Sequence, residues 1–230
     1  MAELLTPQFL ISVLEIILIN ILLSGDNAVV IALACRNLPP KQRRWGVIWG
    51  AVGAIVLRII LTFFAVKLLQ LPYLKLIGGI LLLWIGVKLI AEEEEEQEGK
   101  AVQASDKLLA AIRTVIIADL VMSIDNVLGV AAAAKGSLLL LVFGLVVSIP
   151  LVIAGSQIIM SLIERFPILI LAGGGLLGFV AGEMFVEDVA VEPWIKVNAH
   201  ALVWVIPAAG VVLVIGVAKW LERRHATGSQ

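Results

Sequence analysis

Charge is the scarcest property of this sequence. Only 15% of its 230 residues are charged, whereas 61% are hydrophobic, and the mean hydropathy is +1.07. Soluble domains carry about a quarter charged residues, so a water-soluble fold is excluded. The 17 Lys and Arg nearly cancel the 18 Asp and Glu, and no basic face exists for nucleic acid. A single cysteine, Cys35, rules out an internal disulfide and leaves the redox compartment unmarked. No Gly-x4-Gly-Lys-Ser/Thr loop is present, so the chain carries no nucleotide-driven motor of its own. The opening "MAELLTPQFL" lacks a basic n-region, so the first apolar run is not read as a cleaved signal peptide. The polar tail "HATGSQ" is set aside from fold reasoning.

What is present is a succession of apolar runs with short polar breaks. A bilayer-spanning helix needs about 20 mostly apolar residues. Seven spans are expected, at roughly 8–35, 46–69, 72–91, 108–134, 138–161, 167–186 and 200–221. The stretches between them have boundary chemistry, including "RNLPPKQRR", "QLPY", "EEEEEQEGKAVQASDK" and "ERFP". The run Glu92 to Glu96 reads as a solvated linker. Trp194 and Trp204 read as interfacial anchors, and His200 as a helix-start residue.

Lys and Arg are unevenly distributed between alternate loops. Arg36, Lys41, Arg43, Arg44, Lys88, Lys100, Lys107, Arg113, Arg165, Lys219, Arg223 and Arg224 fall on one side, and Lys67, Lys75, Lys135 and Lys196 on the other. The positive-inside rule then places the N-terminus outside and the C-terminus in the cytoplasm.

Two segments resemble each other. In "NILLSGDNAVVIALA" and "DLVMSIDNVLGVAAA", Asn20 aligns with Asp119, Ser24 with Ser123, Asp26 with Asp125, and Asn27 with Asn126. A second pair of segments aligns Pro72 with Pro167 and Gly78–Gly79 with Gly173–Gly174. Spans one to three therefore match spans four to six. Because three is odd, the second unit enters the membrane from the opposite side. The expected fold is all-α, a 3+3 inverted-topology repeat plus a C-terminal helix, an arrangement with a site near the midplane. Its parts are 1–91 (first repeat), 92–107 (acidic cytoplasmic linker), 108–186 (second repeat) and 187–230 (external loop, seventh helix and tail).

The repeated Asp–Asn pairs carry the chemistry. A charge inside the bilayer is expensive and marks a partner or a role. Asp26, Asp119 and Asp125 all lie within long spans, with Glu15 nearer a face. Asn20, Ser24 and Asn27 share one helical stripe, and Asp119, Met122, Ser123 and Asn126 share another. Converging carboxylates in low dielectric need protonation, a basic partner or a cation. Arg58 is the only basic residue deep in a span, and one arginine cannot neutralise three acids. A divalent cation can, and carboxylate, amide and hydroxyl oxygens are hard ligands suited to Mn2+, Mg2+ or Ca2+. Met122 is either a softer contact or packing. Glu183, at the end of span six, is either a mouth residue or a wetted helix-end carboxylate. Hydrogen-bonded interhelical glue is the alternative for the whole set.

With these two motif copies, the chain resembles the TerC family of bacterial integral membrane proteins over nearly its whole length. The resemblance implies an inner-membrane protein of the lysine-exporter superfamily that is associated with manganese homeostasis, mainly export of Mn2+. It implies that Asp26, Asn27, Asp125 and Asn126 line the ion site, with Asp119 close by. Asn20 in place of an acid makes that site unequal in charge between the repeats.

The expected function is a non-enzymatic secondary transporter exporting divalent metal ions, Mn2+ first among them, from the cytoplasm by alternating access with proton coupling. No bound cofactor is expected beyond the transported ion. The expected partners are the ion and the lipid bilayer, and a homodimer is compatible with the sequence. The alternatives are an exporter of a small cationic molecule such as a basic amino acid, or a non-transporting membrane partner in metal loading or assembly of exported proteins.

Overall fold

The computed structural model describes Leu14 and residues 25–68, 70–95, 104–133 and 138–228. Eight helices occupy them: α1 (Gly25–Cys35), α2 (Pro40–Leu68), α3 (Leu74–Glu95), α4 (Ala104–Ala133), α5 (Leu138–Arg165), α6 (Ile168–Val186), α7 (Glu192–Asn198) and α8 (Leu202–Gly228). No strand occurs among the described residues. Five of the helices, α2, α3, α5, α6 and α8, are long and apolar enough to cross a bilayer. The shorter α1 is the described part of the first expected span, and α4 contains the fourth. The chain is thus an all-helical, multi-pass membrane protein, with five rather than seven spans meeting that standard among the described residues.

Several boundaries lie beyond the apolar runs. α2 starts at Pro40, six residues before the expected span, because proline is tolerated in a first helical turn and presets its φ. α3 continues through Glu95, so the acidic run begins as helix rather than as linker. The stretch after α6 contains the short α7. Pro150 and Pro207 lie inside α5 and α8, as membrane helices allow when neighbours satisfy the freed carbonyls.

The outer surface is apolar. Trp49, Phe63, Ile77, Ile80, Ile158, Trp204 and Val212 are all exposed. In water this would be an aggregation surface, whereas in lipid it matches the solvent. At the end of α8, Arg224 lies 4.0 Å over the Trp220 ring, an amphipathic pair suited to the headgroup level.

Glycine sets how closely the helices approach, as it commonly does where no water drives helices together. On α2, a Cβ at Gly50 would sit 3.0 Å from Val115 of α4, and one at Gly53 would meet Ile116 at 2.7 Å. α3 and α6 cross where a Cβ at Gly79 would lie 2.9 Å from the Ala181 carbonyl and one at Gly174 would lie 3.4 Å from the Gly86 carbonyl. On its other face α6 meets α8 backbone to backbone, Gly178 against Gly210 and Gly182 against Pro207. Gly173 turns toward Val29 and Leu33 of α1. The run "AGGGLLGFVAG" thus lets α6 contact three helices at once.

Outside the spans, Asp188 ties the end of α6 to the start of α3. It is fully buried. Its Oδ1 accepts the N–H groups of Tyr73 (2.9 Å) and Ala190 (2.9 Å), and its Oδ2 those of Lys75 (3.0 Å) and Leu76 (3.3 Å). Tyr73 adopts φ 67° to present its N–H, and Lys75 pairs with Glu187 at 3.2 Å. An acid at a helix N-terminus meets unpaired donors and the positive end of the dipole. Burial alone would raise the Asp188 carboxyl, but the donors from Ala190, Tyr73, Leu76 and Lys75 outweigh it and hold the group below its ordinary value.

A depressed folded pKa stabilises the fold above the unfolded value of about 4, and that contribution fades as pH falls through the folded value. Asp188→Asn should therefore cost about 2 kcal/mol at neutral pH, the size of a charged hydrogen-bond set. The gap to wild type should be constant from pH 6 to 8 and narrow below about pH 4. Thermal unfolding in detergent across that range measures it.

Candidate functional site

The Gly50 and Gly53 contacts bring α2 against α4, and the same faces continue to the polar residues. Gly50, Ala54 and Arg58 recur every fourth residue on α2, as do Val115, Asp119 and Ser123 on α4, so each series lies on one stripe. Arg58 therefore faces Asp119 and Ser123. Its Nη2 donates to Asp119 Oδ1 at 2.5 Å, and its Nε donates to Ser123 Oγ at 3.0 Å. Ser123 Oγ in turn donates to Asp119 Oδ2 at 3.1 Å. Both carboxylate oxygens are engaged, and the cluster is dry: Arg58 is 2% exposed, Asp119 4% and Ser123 0%.

α1 packs against α2, α4, α5 and α6 and brings the first Asp–Asn pair to this cluster. Asp26 is half-buried, and its Oδ1 accepts the Asn27 N–H at 2.8 Å. The Arg58 charge attracts the Asp26 carboxylate and the Asp119 charge repels it, so the two acids share one electrostatic environment. Asn27 is 5% exposed, and neither its Oδ1 nor its Nδ2 has a hydrogen-bond partner. A buried amide normally satisfies both atoms. Here a hard oxygen and a carboxylate stand together, next to a buried ion pair.

The second Asp–Asn pair lies on a continuous helix. The backbone of α4 is α-helical from Ala104 to Ala133, so it is not unwound at Ile124 or Asp125. α1 is likewise helical from Gly25 onward. The side chains of Asp125 and Asn126 lie outside the described residues, as do Glu15, Asn20 and Ser24 altogether. Met122 is buried in the apolar core, where it packs with its neighbours. Glu183 is half-buried near the end of α6. Among the described residues, no three His, Cys, Asp or Glu side chains form a group able to hold a metal ion.

Two features of the site were missed in the sequence. The pairing of Arg58 with Asp119 was readable only as a charge in need of a partner. Its spacing from Gly50 and Ala54 was the available signal that it faces a close-packed helix. The unpartnered state of Asn27 has no sequence signal, because it depends on what the neighbouring helices leave open.

A family model described as integral membrane protein TerC family matches residues 5–226. The chain is 48% identical over 181 residues to the uncharacterized membrane protein YjbE of Bacillus subtilis, covering 79% of this chain and 82% of that one. It is 29% identical to the uncharacterized membrane protein YceF of the same organism, over 74% and 68% of the two chains. It is 27% identical to the inner membrane protein YgdQ of Escherichia coli, over 65% and 69%. No solved structure matches the chain significantly.

Removing one member of a buried ion pair typically costs about 3–5 kcal/mol. Asp119→Ala should lower stability by that amount. Ser123→Ala loses only one neutral bridge and should cost about 1 kcal/mol. Denaturation of purified protein in mixed micelles ranks the two, and equal effects would mean that the ion pair is not the stabilising element.

Proposed function

This chain belongs to the TerC family of integral membrane proteins, and from that premise we propose that it is a secondary transporter of divalent cations, exporting Mn2+ from the cytoplasm in exchange for protons. The observation that carries the reading is the conjunction at α1. Asp26 and a buried Asn27 with two unpartnered polar atoms lie within the field of Asp119 and Arg58. Carboxylate and amide oxygens in a dry site suit a hard divalent ion. In this reading Asp125 and Asn126, on the helix against which α1 packs, complete the ligand set. Carboxylates that release a cation in low dielectric take protons instead, which supplies the coupling.

The reading includes an inverted repeat that relates α1–α3 to α4–α6. Gly79 meets the Ala181 carbonyl and the Phe185 ring, while Gly174 meets the Gly86 carbonyl and Ile90. Exchanging each residue with its counterpart 95 positions away turns the first set of contacts into the second. This supports a two-fold relation between α3 and α6. Such a relation lets two states of one site open to opposite faces.

Orientation follows from the Lys and Arg bias, with the N-terminus outside. A reporter fused after Gln97 should read cytoplasmic and one after Glu192 external; the reverse would make the protein an importer under the same mechanism.

Asp125→Asn keeps the shape of the side chain but removes one charge from the proposed site. The lost attraction at an effective dielectric of about 20 corresponds to roughly ten- to hundredfold weaker binding after rearrangement. The mutant should insert normally, because asparagine within a span is cheaper than aspartate. In proteoliposomes, wild type should carry Mn2+ and the mutant should carry at least about tenfold less. Equal flux would remove Asp125 from the site. Lysine flux in place of metal flux would replace the cargo with a basic amino acid.

A further inference from the structure

A membrane transporter must bind its cargo and then let it go. A divalent cation held by several carboxylates in low dielectric binds too tightly to leave unaided, so conduction needs something that weakens the bound state. Arg58 stands where such a competitor would stand. Its guanidinium already occupies Asp119 Oδ1 and Ser123 Oγ, and its charge also reaches Asp26.

Resting on the transport reading, we propose that Arg58 is an exchangeable internal counter-ion. It holds Asp119 while the site lacks cargo, yields that carboxylate to a divalent cation arriving at Asp26 and Asn27, and drives the cation out when it returns.

Three observations support exchange over a fixed brace. First, Asp119 is deeply buried, so any step that moves Arg58 away must bring a metal cation or a proton in its place. Second, Asn27 offers an unpartnered oxygen beside Asp26, so an incoming ion has ligands before it reaches Asp119. Third, the tether is suited to movement. The α2 backbone is fixed against α4 through Gly50 and Gly53, but the arginine stem has several rotatable bonds and can swing without moving the helix. Ser123 stays hydrogen-bonded to Asp119 Oδ2 and keeps the carboxylate oriented during the exchange. A monovalent guanidinium cannot pair with Asp26 and Asp119 together as a divalent ion can. Cargo therefore wins the site, and the tethered charge keeps the victory small.

The test uses the purified full-length protein in nanodiscs, with free Mn2+ measured by electron paramagnetic resonance, alongside Mn2+ flux in proteoliposomes. Arg58→Met removes the competitor at similar length. It should bind Mn2+ at least about tenfold tighter than wild type while transporting at least about tenfold more slowly. Its thermal stability should fall without Mn2+ and recover when Mn2+ is added, because the ion replaces the lost partner of Asp119. Arg58→Lys keeps the charge but loses the fork that spans Asp119 and Ser123, and should bind a few-fold tighter. It carries the test if Arg58→Met cannot be purified folded. Wild-type binding with unchanged or weaker affinity in these variants makes Arg58 a fixed brace and overturns the proposal while leaving the transport reading intact. A wild type that binds no Mn2+ overturns both.

Discussion

A guanidinium buried between two membrane helices can place its charge only on another side chain. Lipid supplies no water and no counter-ion, so Arg58 and Asp119 each need a charged partner within the protein, and in this structure they pair with each other. Their bond in turn demands that α2 and α4 lie close along their whole contact. Side chains larger than hydrogen at Gly50 and Gly53 would press on Val115 and Ile116 and lift the arginine away from its carboxylate. The polar chemistry of the site thus depends on residues that carry no chemistry of their own.

The same logic organises the other side of the bundle. α6 packs on α3 and on α8 through backbone-level contacts, with Asp188 closing the end of the α3–α6 pair. The helices bearing the Asp–Asn motifs, α1 and α4, pack mainly with α2 and α5. A closely packed group of three helices therefore stands beside a group that holds the charged residues. Where the groups meet, at Gly173 against Val29 and Leu33 and at Gly78 against Val121, the contacts are with side chains, which slide more readily than interlocked backbone.

The positions of the helices were legible because an apolar run of bilayer length has one stable outcome in lipid. Their ends were not. Charged residues such as Lys41 and Glu95 break a hydropathy pattern but are good helix formers, so α2 and α3 continue past the apolar boundary. The motif residues announced themselves because aspartate inside a span is costly wherever it points. Which of them would meet which could not be read, since partner choice depends on the crossing of α2 over α4. Asp188 was the least visible of all. It sits among acidic residues at a span end, where a carboxylate ordinarily faces water, and only the fold turns it toward the open end of α3. α7 was hidden by its brevity and by the proline of "EPW", which marks a turn as readily as a helix start.

The contact of Gly178 with Gly210 has one more consequence. On α3, the residues 95 positions before Gly178 and Gly182 are Leu83 and Val87, which admit no helix so closely. α8 therefore grips α6 by its backbone, whereas at Gly86 it sets a side chain, Val214, against α3. Under the repeat reading, two halves of similar sequence are thus loaded unequally, like a balance with a weight fixed to one pan. Inward- and outward-open forms of such a machine differ in energy even when nothing is bound. One face of the membrane then becomes the place where the protein waits.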